Sequence, residues 1–265
     1  MNDPRAYEAM PDLRTLTSAR VGLGRSGVSA TTKDLLAFRV DHSLARDAVH
    51  AQFDAEGLAA ELAGGGLSCV VAESRATNRA DHLRRPDRGR RLSGPARDAL
   101  TAQRSPADVA LIVSDGLSAT AVNRHAATLV GEIVANLGDA GMTVAPIVIV
   151  PFGRVALLND VGAALGSRCA AIVIGERPGL CAPDSLSVYT EVNPAQRLTD
   201  ADRNCISNIR PGGLPLQEAA RRTAMLLSES LRLGRSGTTL KVEYPSAAAT
   251  PAVTAESGRV ESAQT

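Results

Sequence analysis

From residue 94 onward, two kinds of hydrophobic pattern alternate along the chain. Short, nearly continuous apolar runs predict buried strands, and longer segments with apolar residues three or four positions apart predict helices. Continuously apolar strands need cover on both faces, so the alternation predicts an α/β fold with a largely parallel sheet and flanking helices. The predicted strands are 108–114, 143–150, 169–175 and 185–192, and the predicted helices are 95–104, 119–137, 154–166 and 214–233.

Pro146 lies within the second predicted strand. A proline has no N–H to donate to a neighbouring strand, so we expect this strand at an edge of the sheet or at a bulge rather than in the centre. Ser118 is expected to cap the helix that follows the first strand, and Gly138 and Gly234 are expected to end two of the helices.

Before residue 94 the pattern is mainly helical. Residues 67–74 are a short strand candidate. A helix capped by Thr31 or Thr32 is expected to carry one apolar face, because apolar residues recur there at every fourth position. These residues are Leu36, Val40, Leu44 and Ala48.

An arginine-rich segment follows, with seven arginines between Arg75 and Arg91. Two interpretations of this segment remain open. It is either a solvated basic loop or a docking surface for an acidic partner or a phosphate. The segment has no aromatic residue on which bases could stack, which argues against binding of single-stranded nucleic acid.

The composition narrows the class of protein. Aromatic residues make up only 2 % of the 265 residues, so the core must be built from Ala, Val, Leu and Ile. A net charge of +1 provides no general attraction for nucleic acid or anionic lipid. The longest apolar stretch, 144–152, is too short to span a bilayer, and the first 15 residues lack a signal-peptide core. We therefore expect a cytoplasmic protein.

The chain is expected to divide into three parts. Residues 1–93 form a helical N-terminal part with the arginine-rich docking loop, and residues 94–244 form the sheet domain. Residues 245–265 are small, polar and rich in alanine, with few groups that could build a core, and are expected to be a disordered tail.

Polar turns follow the predicted strands, at the edge where α/β sheets usually hold ligands. These turns contain no nucleotide-binding glycine motif, no nucleophile elbow and no histidine, and the four cysteines form no CxxC pair. We therefore predict no metal site and no complete catalytic set. Two hypotheses remain: an enzyme that uses Glu176 within an acid pair, or a binding subunit that holds a large polar ligand while another chain performs the chemistry.

Six motifs, in this order, resemble the small subunit of ethanolamine ammonia-lyase. The resemblance extends from about residue 19 to about residue 234. The motifs are RPDRGRRLS (85–93), IVSDGLSATAVN (112–123), FGRVALLNDVGAALG (152–166), VIGERPGL (173–180), SLSVY (185–189) and DRNCISNIRPGG (202–213).

The resemblance implies an adenosylcobalamin-dependent lyase that converts ethanolamine to acetaldehyde and ammonia. In this family a large subunit carries the barrel and the substrate site, and the holoenzyme is a higher oligomer of large–small pairs. The small subunit has a helical N-terminal part and a Rossmann-like part, and it is active only in the complex. Some members of the family are directed to a bacterial microcompartment. A microcompartment is therefore the alternative location to the cytoplasm for this protein.

The family's cofactor contacts fall on Val155, Glu176 and Cys205. Val155 is expected one residue into its helix, where a backbone N–H is free. Glu176 is expected to accept a hydrogen bond from a corrin amide or a ribose hydroxyl, and pairing with Arg177 or Arg154 is the plain alternative. Cys205 is expected to act as a small residue or a weak hydrogen-bonding group.

The sequence also bears on the lower ligand of the cobalt. Some cobalamin proteins replace the cofactor's own base with the histidine of a DxHxxG motif, and this motif is absent here. We therefore expect the cofactor to bind with its dimethylbenzimidazole on cobalt.

Overall fold

The structure is a computed structural model that describes residues 19–21, 23–104, 107–195 and 199–244. The predicted disordered tail, 245–265, lies outside the described residues. The helices are α1 (Thr32–His50), α2 (Ala55–Gly64), α3 (Arg79–Arg84), α4 (Gly94–Ala102), α5 (Ala119–Asp139), α6 (Leu157–Leu165) and α7 (Leu216–Leu233). The strands are β1 (Arg25–Ser26), β2 (Ser29–Ala30), β3 (Cys69–Val71), β4 (Val109–Ser114), β5 (Ile147–Ile149), β6 (Cys169–Gly175), β7 (Leu186–Val192) and β8 (Asn204–Ile209).

Six of these strands form one mixed sheet in the order β3-β5-β4-β6-β7-β8. The first four are parallel, and β4 and β6 pair in register from Val109 opposite Cys169 to Ser114 opposite Ile174. Strands β7 and β8 extend the sheet in antiparallel fashion. The predicted α/β fold, with a mostly parallel sheet, flanking helices and a helical N-terminal part, is confirmed.

Helices cover the two faces of the sheet to different extents. On one face, α5 and α7 bury the side chains of β4, β6, β7 and β8 in a continuous core. On the other face, α4 and α6 pack over β4, β5 and β6. Ser187 and Tyr189 of β7 and Cys205 and Ser207 of β8 face this second side, beyond the reach of α6. The antiparallel extension therefore keeps one face open in the described part of the chain.

Predicted caps and stops account for several helix ends. The Ser118 hydroxyl accepts a hydrogen bond from the Ala121 N–H at the start of α5, and Thr31 serves α1 in the same way through Asp34. Gly234 ends α7 in a left-handed conformation that suits a residue without Cβ. Helix α5 continues to Asp139, one residue past the predicted stop at Gly138.

The expected edge position of the Pro146 strand is wrong. Strand β5 lies inside the sheet, between β3 and β4. It is reduced to three residues that begin at Ile147, so Pro146 precedes the ladder and removes no hydrogen bond from it.

Two further features differ from the sequence interpretation. Because β7 runs antiparallel to β6, the turn at 193–194 lies at the opposite edge of the sheet from the other polar turns. Residues 204–209 form edge strand β8, which is not among the predicted strands. The alternation of buried and exposed residues in β8 lacks the continuous apolar run by which the other strands were predicted.

Helix α1 forms as predicted, but most of its apolar face is exposed. Leu36, Val40 and Leu44 are 54 %, 59 % and 52 % exposed, and only Ala48 is buried. Strand β3 of the predicted N-terminal part joins the main sheet, and the division at residue 93 stays a prediction. None of the helices in the described part of the chain combines the length and apolar character needed to cross a membrane.

Candidate functional site

A cavity of about 570 Å³ lies where the carboxyl end of β6 meets the open face of β7 and β8. Its walls come from five separate segments of the chain. The lining residues are Gly116, Leu117, Arg154, Val155, Ile174, Gly175, Glu176, Arg177, Ser187, Tyr189, Cys205 and Ser207. The three residues predicted to contact a cofactor, Val155, Glu176 and Cys205, are all among them.

Two glycines allow the turns after β4 and β6 to approach closely at the cavity. The Leu117 N–H donates to the Gly175 carbonyl oxygen over 3.0 Å. A Cβ on Gly175 would lie 2.2 Å from the Ser118 carbonyl oxygen, and one on Gly116 would lie 2.4 Å from the Gly175 carbonyl oxygen. Gly116 also has a positive φ of 50°, which disfavours other residues. This contact fixes the position of Glu176 relative to the start of α5.

Val155 lies in the turn between β5 and α6, not inside the helix as expected, because α6 begins at Leu157. Its carbonyl oxygen accepts from the Leu158 N–H over 3.1 Å. The turn itself is held by the Arg154 N–H, which donates to the Gly89 carbonyl oxygen over 2.8 Å. The Val155 backbone therefore lies at the rim of the cavity, ahead of the first turn of α6.

Glu176 is held by hydrogen bonds rather than by arginine. The hydroxyl groups of Ser185 and Ser187 donate to its carboxylate, and the Asn208 N–H donates to Oε1 over 3.0 Å. In the described part of the chain, its carboxylate forms no ion pair, so the pairing with Arg177 or Arg154 that we had considered is not formed. Glu176 is also the one carboxylate among the described lining residues, which removes the partner that the acid-pair hypothesis requires.

Cys205 lies opposite Tyr189 in the pairing of β7 with β8. Cys205 is an exposed residue, but its thiol lies close enough to Tyr189 and Ser187 to interact with both. Burial raises the pKa of the Cys205 thiol. Burial, and next the neighbouring Cys205, raise the pKa of Tyr189 to about 12. Both groups are neutral at physiological pH and present a small, weakly polar surface to the cavity.

Behind the cavity, a buried ion pair supports the turn at Gly116. Asp115 is 1 % exposed and accepts from Arg79 over 3.0 Å and from the Phe152 N–H over 2.7 Å. Arg79 also donates to the Gly116 carbonyl oxygen over 2.7 Å. Burial raises the pKa of Asp115 to about 6, and the charge of Arg79 opposes that rise. Sequence analysis missed these roles because the paired residues are far apart in the chain.

The arginine-rich segment is largely used inside the molecule. Besides Arg79, Arg88 pairs with Asp81 and Arg91 pairs with Asp160, each within 3.0 Å. Arg85 pairs with Asp87 on the surface. These contacts show that much of the segment's charge is matched within the chain, and its role as a docking surface stays a prediction.

The cavity is broad, and its lining combines apolar and polar groups. The described residues contain no group of three or more His, Cys, Asp or Glu side chains that could hold a metal. Ser187 and Tyr189 of β7 and Cys205 and Ser207 of β8 form the floor, and the Glu176 carboxylate lies at one end. Such a surface fits a flat molecule whose rim carries hydrogen-bond donors and acceptors, as primary amides do.

The fold and the cavity are those of an α/β protein with a cleft where the carboxyl end of β6 meets the open face of β7 and β8. A family model described as "Ethanolamine ammonia-lyase light chain (EutC)" matches residues 7–241. The chain belongs to this family. The words "light chain" and "small subunit" imply a larger partner subunit.

Curated relatives support the assignment along most of the chain. The small subunit from Rhodopseudomonas palustris is 48 % identical over 245 residues, which cover 92 % of this chain and 94 % of the relative. The one from Ralstonia nicotianae is 47 % identical over 233 residues, 86 % of each chain. The one from Bradyrhizobium diazoefficiens is 47 % identical over 247 residues, 92 % of this chain and 94 % of the relative.

Proposed function

We propose that this chain is the small subunit of an adenosylcobalamin-dependent ethanolamine ammonia-lyase and that its cavity grips the cofactor. One observation carries the proposal. Val155, Glu176 and Cys205 come from three separate segments of the chain, and they line one cavity beside an open sheet face. The family resemblance assigned these residues to the cofactor without reference to any cavity.

Each residue has a distinct part in holding the ligand. The Glu176 carboxylate accepts a hydrogen bond from an amide N–H or a ribose hydroxyl, and a charged acceptor strengthens such a bond. The Val155 backbone lies where it can donate to an amide oxygen. Cys205 and Tyr189 offer a neutral surface on which the ligand rests, and the small side chains of Ser187 and Ser207 let it approach the sheet.

The division of labour follows from what the cavity contains. The cofactor, when bound, supplies the radical that starts the reaction, so the protein around it has to provide binding and orientation. We assign substrate binding and catalysis to the large subunit. The complex is a higher oligomer of large–small pairs that keeps the cofactor's own base on cobalt, and it works in the cytoplasm, with a microcompartment as the alternative.

Reconstitution tests this function. The purified chain with adenosylcobalamin and ethanolamine is expected to form no acetaldehyde, and addition of the family's large subunit is expected to produce cofactor-dependent formation of acetaldehyde and ammonia. The large subunit alone serves as the control. Turnover by the isolated chain, or no gain in activity on mixing, would contradict the proposal.

A further inference from the structure

Three donors contact the Glu176 carboxylate. The Ser185 hydroxyl donates to Oε2, and the Ser187 hydroxyl and the Asn208 N–H donate to Oε1. In addition, the Glu176 N–H donates to the Ser185 carbonyl oxygen over 2.9 Å. The carboxylate is therefore fixed at both oxygens before any ligand arrives.

The donors sit on rigid parts of the fold. Ser185 and Ser187 are each 3 % exposed. Ser185 immediately precedes strand β7 and Ser187 is its second residue, and β7 pairs along its length with β6. Asn208 has a left-handed backbone with φ 57°, which asparagine adopts more readily than most residues. This conformation lies near the end of edge strand β8 and aims the backbone N–H at Glu176.

An unfixed glutamate at this place would have other partners. Arg154 and Arg177 line the same cavity, and a glutamate side chain with three rotatable bonds could turn toward either of them. Fixing such a side chain costs conformational entropy. When that cost is met during folding, it no longer opposes ligand binding.

We infer that Ser185 and Ser187 are positioning residues that hold Glu176 in its ligand-accepting orientation. Ser185 is the cleaner case, because it is buried and does not line the cavity. It acts on the ligand through Glu176 alone. Ser187 also lines the cavity and interacts with Cys205, so it has a second route to the ligand. This inference rests on the proposed function of Glu176.

A double-mutant cycle in the assembled complex with the large subunit tests the inference. The readouts are the concentrations of adenosylcobalamin and of ethanolamine that give half-maximal activity. Ser185→Ala is expected to raise the half-saturating concentration of adenosylcobalamin by about three- to tenfold. It is expected to leave unchanged the half-saturating concentration of ethanolamine and the kcat at saturating cofactor. In a Glu176→Ala background, Ser185→Ala is expected to have no further effect, because the group it positions is gone.

Thr190→Val is the matched control. Thr190 is a fully buried hydroxyl residue on the same strand, but it faces the other side of the sheet. Its loss is expected to leave the cofactor requirement unchanged, whatever it does to stability. If Ser185→Ala fails to assemble with the large subunit, the same cycle with Ser187→Ala decides, with the expectation that most of its effect disappears without Glu176.

The outcomes distinguish the positioning role of Ser185 from the cofactor-binding role of Glu176. If Glu176→Ala raises the cofactor requirement but Ser185→Ala does not, or raises it equally with and without Glu176, the positioning role is wrong and the cofactor role of Glu176 stands. If Glu176→Ala itself leaves the cofactor requirement unchanged, the cofactor role fails and the positioning role fails with it.

Discussion

His82 has no solvent exposure and lies against the turn that carries Arg154. Its Nδ1 is 2.8 Å from the Phe152 carbonyl oxygen, and its own carbonyl oxygen accepts from Arg154 over 2.9 Å. Burial, and next the charge of Arg154, lower the pKa of His82 to about 4. The imidazole is therefore neutral in the folded protein. It supports the turn that carries Arg154 and does not act as a proton carrier.

The low pKa of His82 predicts a pH dependence of stability. Between pH 6.5 and 4 the unfolded chain binds a proton at His82 that the folded chain does not, so this residue costs stability as the pH falls through that window. Asp115, with a raised pKa, acts in the opposite direction over part of the same range. A comparison with His82→Gln removes the Asp115 contribution, because both proteins contain it.

We expect the advantage of the wild type over His82→Gln in free energy of unfolding to shrink by up to about 3 kcal/mol from pH 7 to pH 4. Urea denaturation at several pH values measures this. A difference that stays constant across the range would show that His82 titrates normally in the folded state.

At the scale of elements, the cavity depends on how closely the turn after β6 approaches the start of α5. The Cβ that any residue other than glycine would add at 175 meets the carbonyl oxygens of Ser118 and Asp115, at 2.2 Å and 2.5 Å. Both obstacles are backbone atoms, which a side-chain rotation cannot relieve. The strand end and the helix start must then separate.

Gly175→Ala is accordingly expected to lower the free energy of unfolding by about 1–3 kcal/mol and to weaken cofactor binding, since Glu176 moves with the turn. Gly131→Ala is the matched control, because a Cβ on Gly131 inside α5 meets nothing within 4 Å. That change should add roughly 0.5–1 kcal/mol of stability through helix propensity. Thermal unfolding of both variants decides, and equal stability of the two would refute the close approach.

Sequence patterns predicted elements best where burial is two-sided. Strand β6 was predicted with the bounds that it has, 169–175, because all of its residues are buried and apolar or glycine. Strand β8 was not predicted, because one of its faces is open and carries Cys205 and Ser207. That open face forms part of the proposed binding surface.

At the scale of the whole molecule, the antiparallel pair β7–β8 gives the sheet one uncovered face, which is the proposed binding surface. Helix α7 covers one face of the pair, and the other face stays open beside α6. The motifs identified Val155, Glu176 and Cys205, but nothing local in the sequence shows that Ser185, Ser187 or Arg79 support them. Those contacts form only when the segments meet in the folded chain.

One measurement tests most directly whether Glu176 binds the cofactor. The complex of Glu176→Ala with the large subunit is titrated with adenosylcobalamin and with ethanolamine, and Glu229→Ala, which removes a partly exposed carboxylate on α7, is the control. We expect the half-saturating cofactor concentration to rise by about tenfold to a hundredfold, because a charged hydrogen bond is lost, while that of ethanolamine changes by less than about twofold. Equal rises for both ligands, or no rise for the cofactor, would contradict the account.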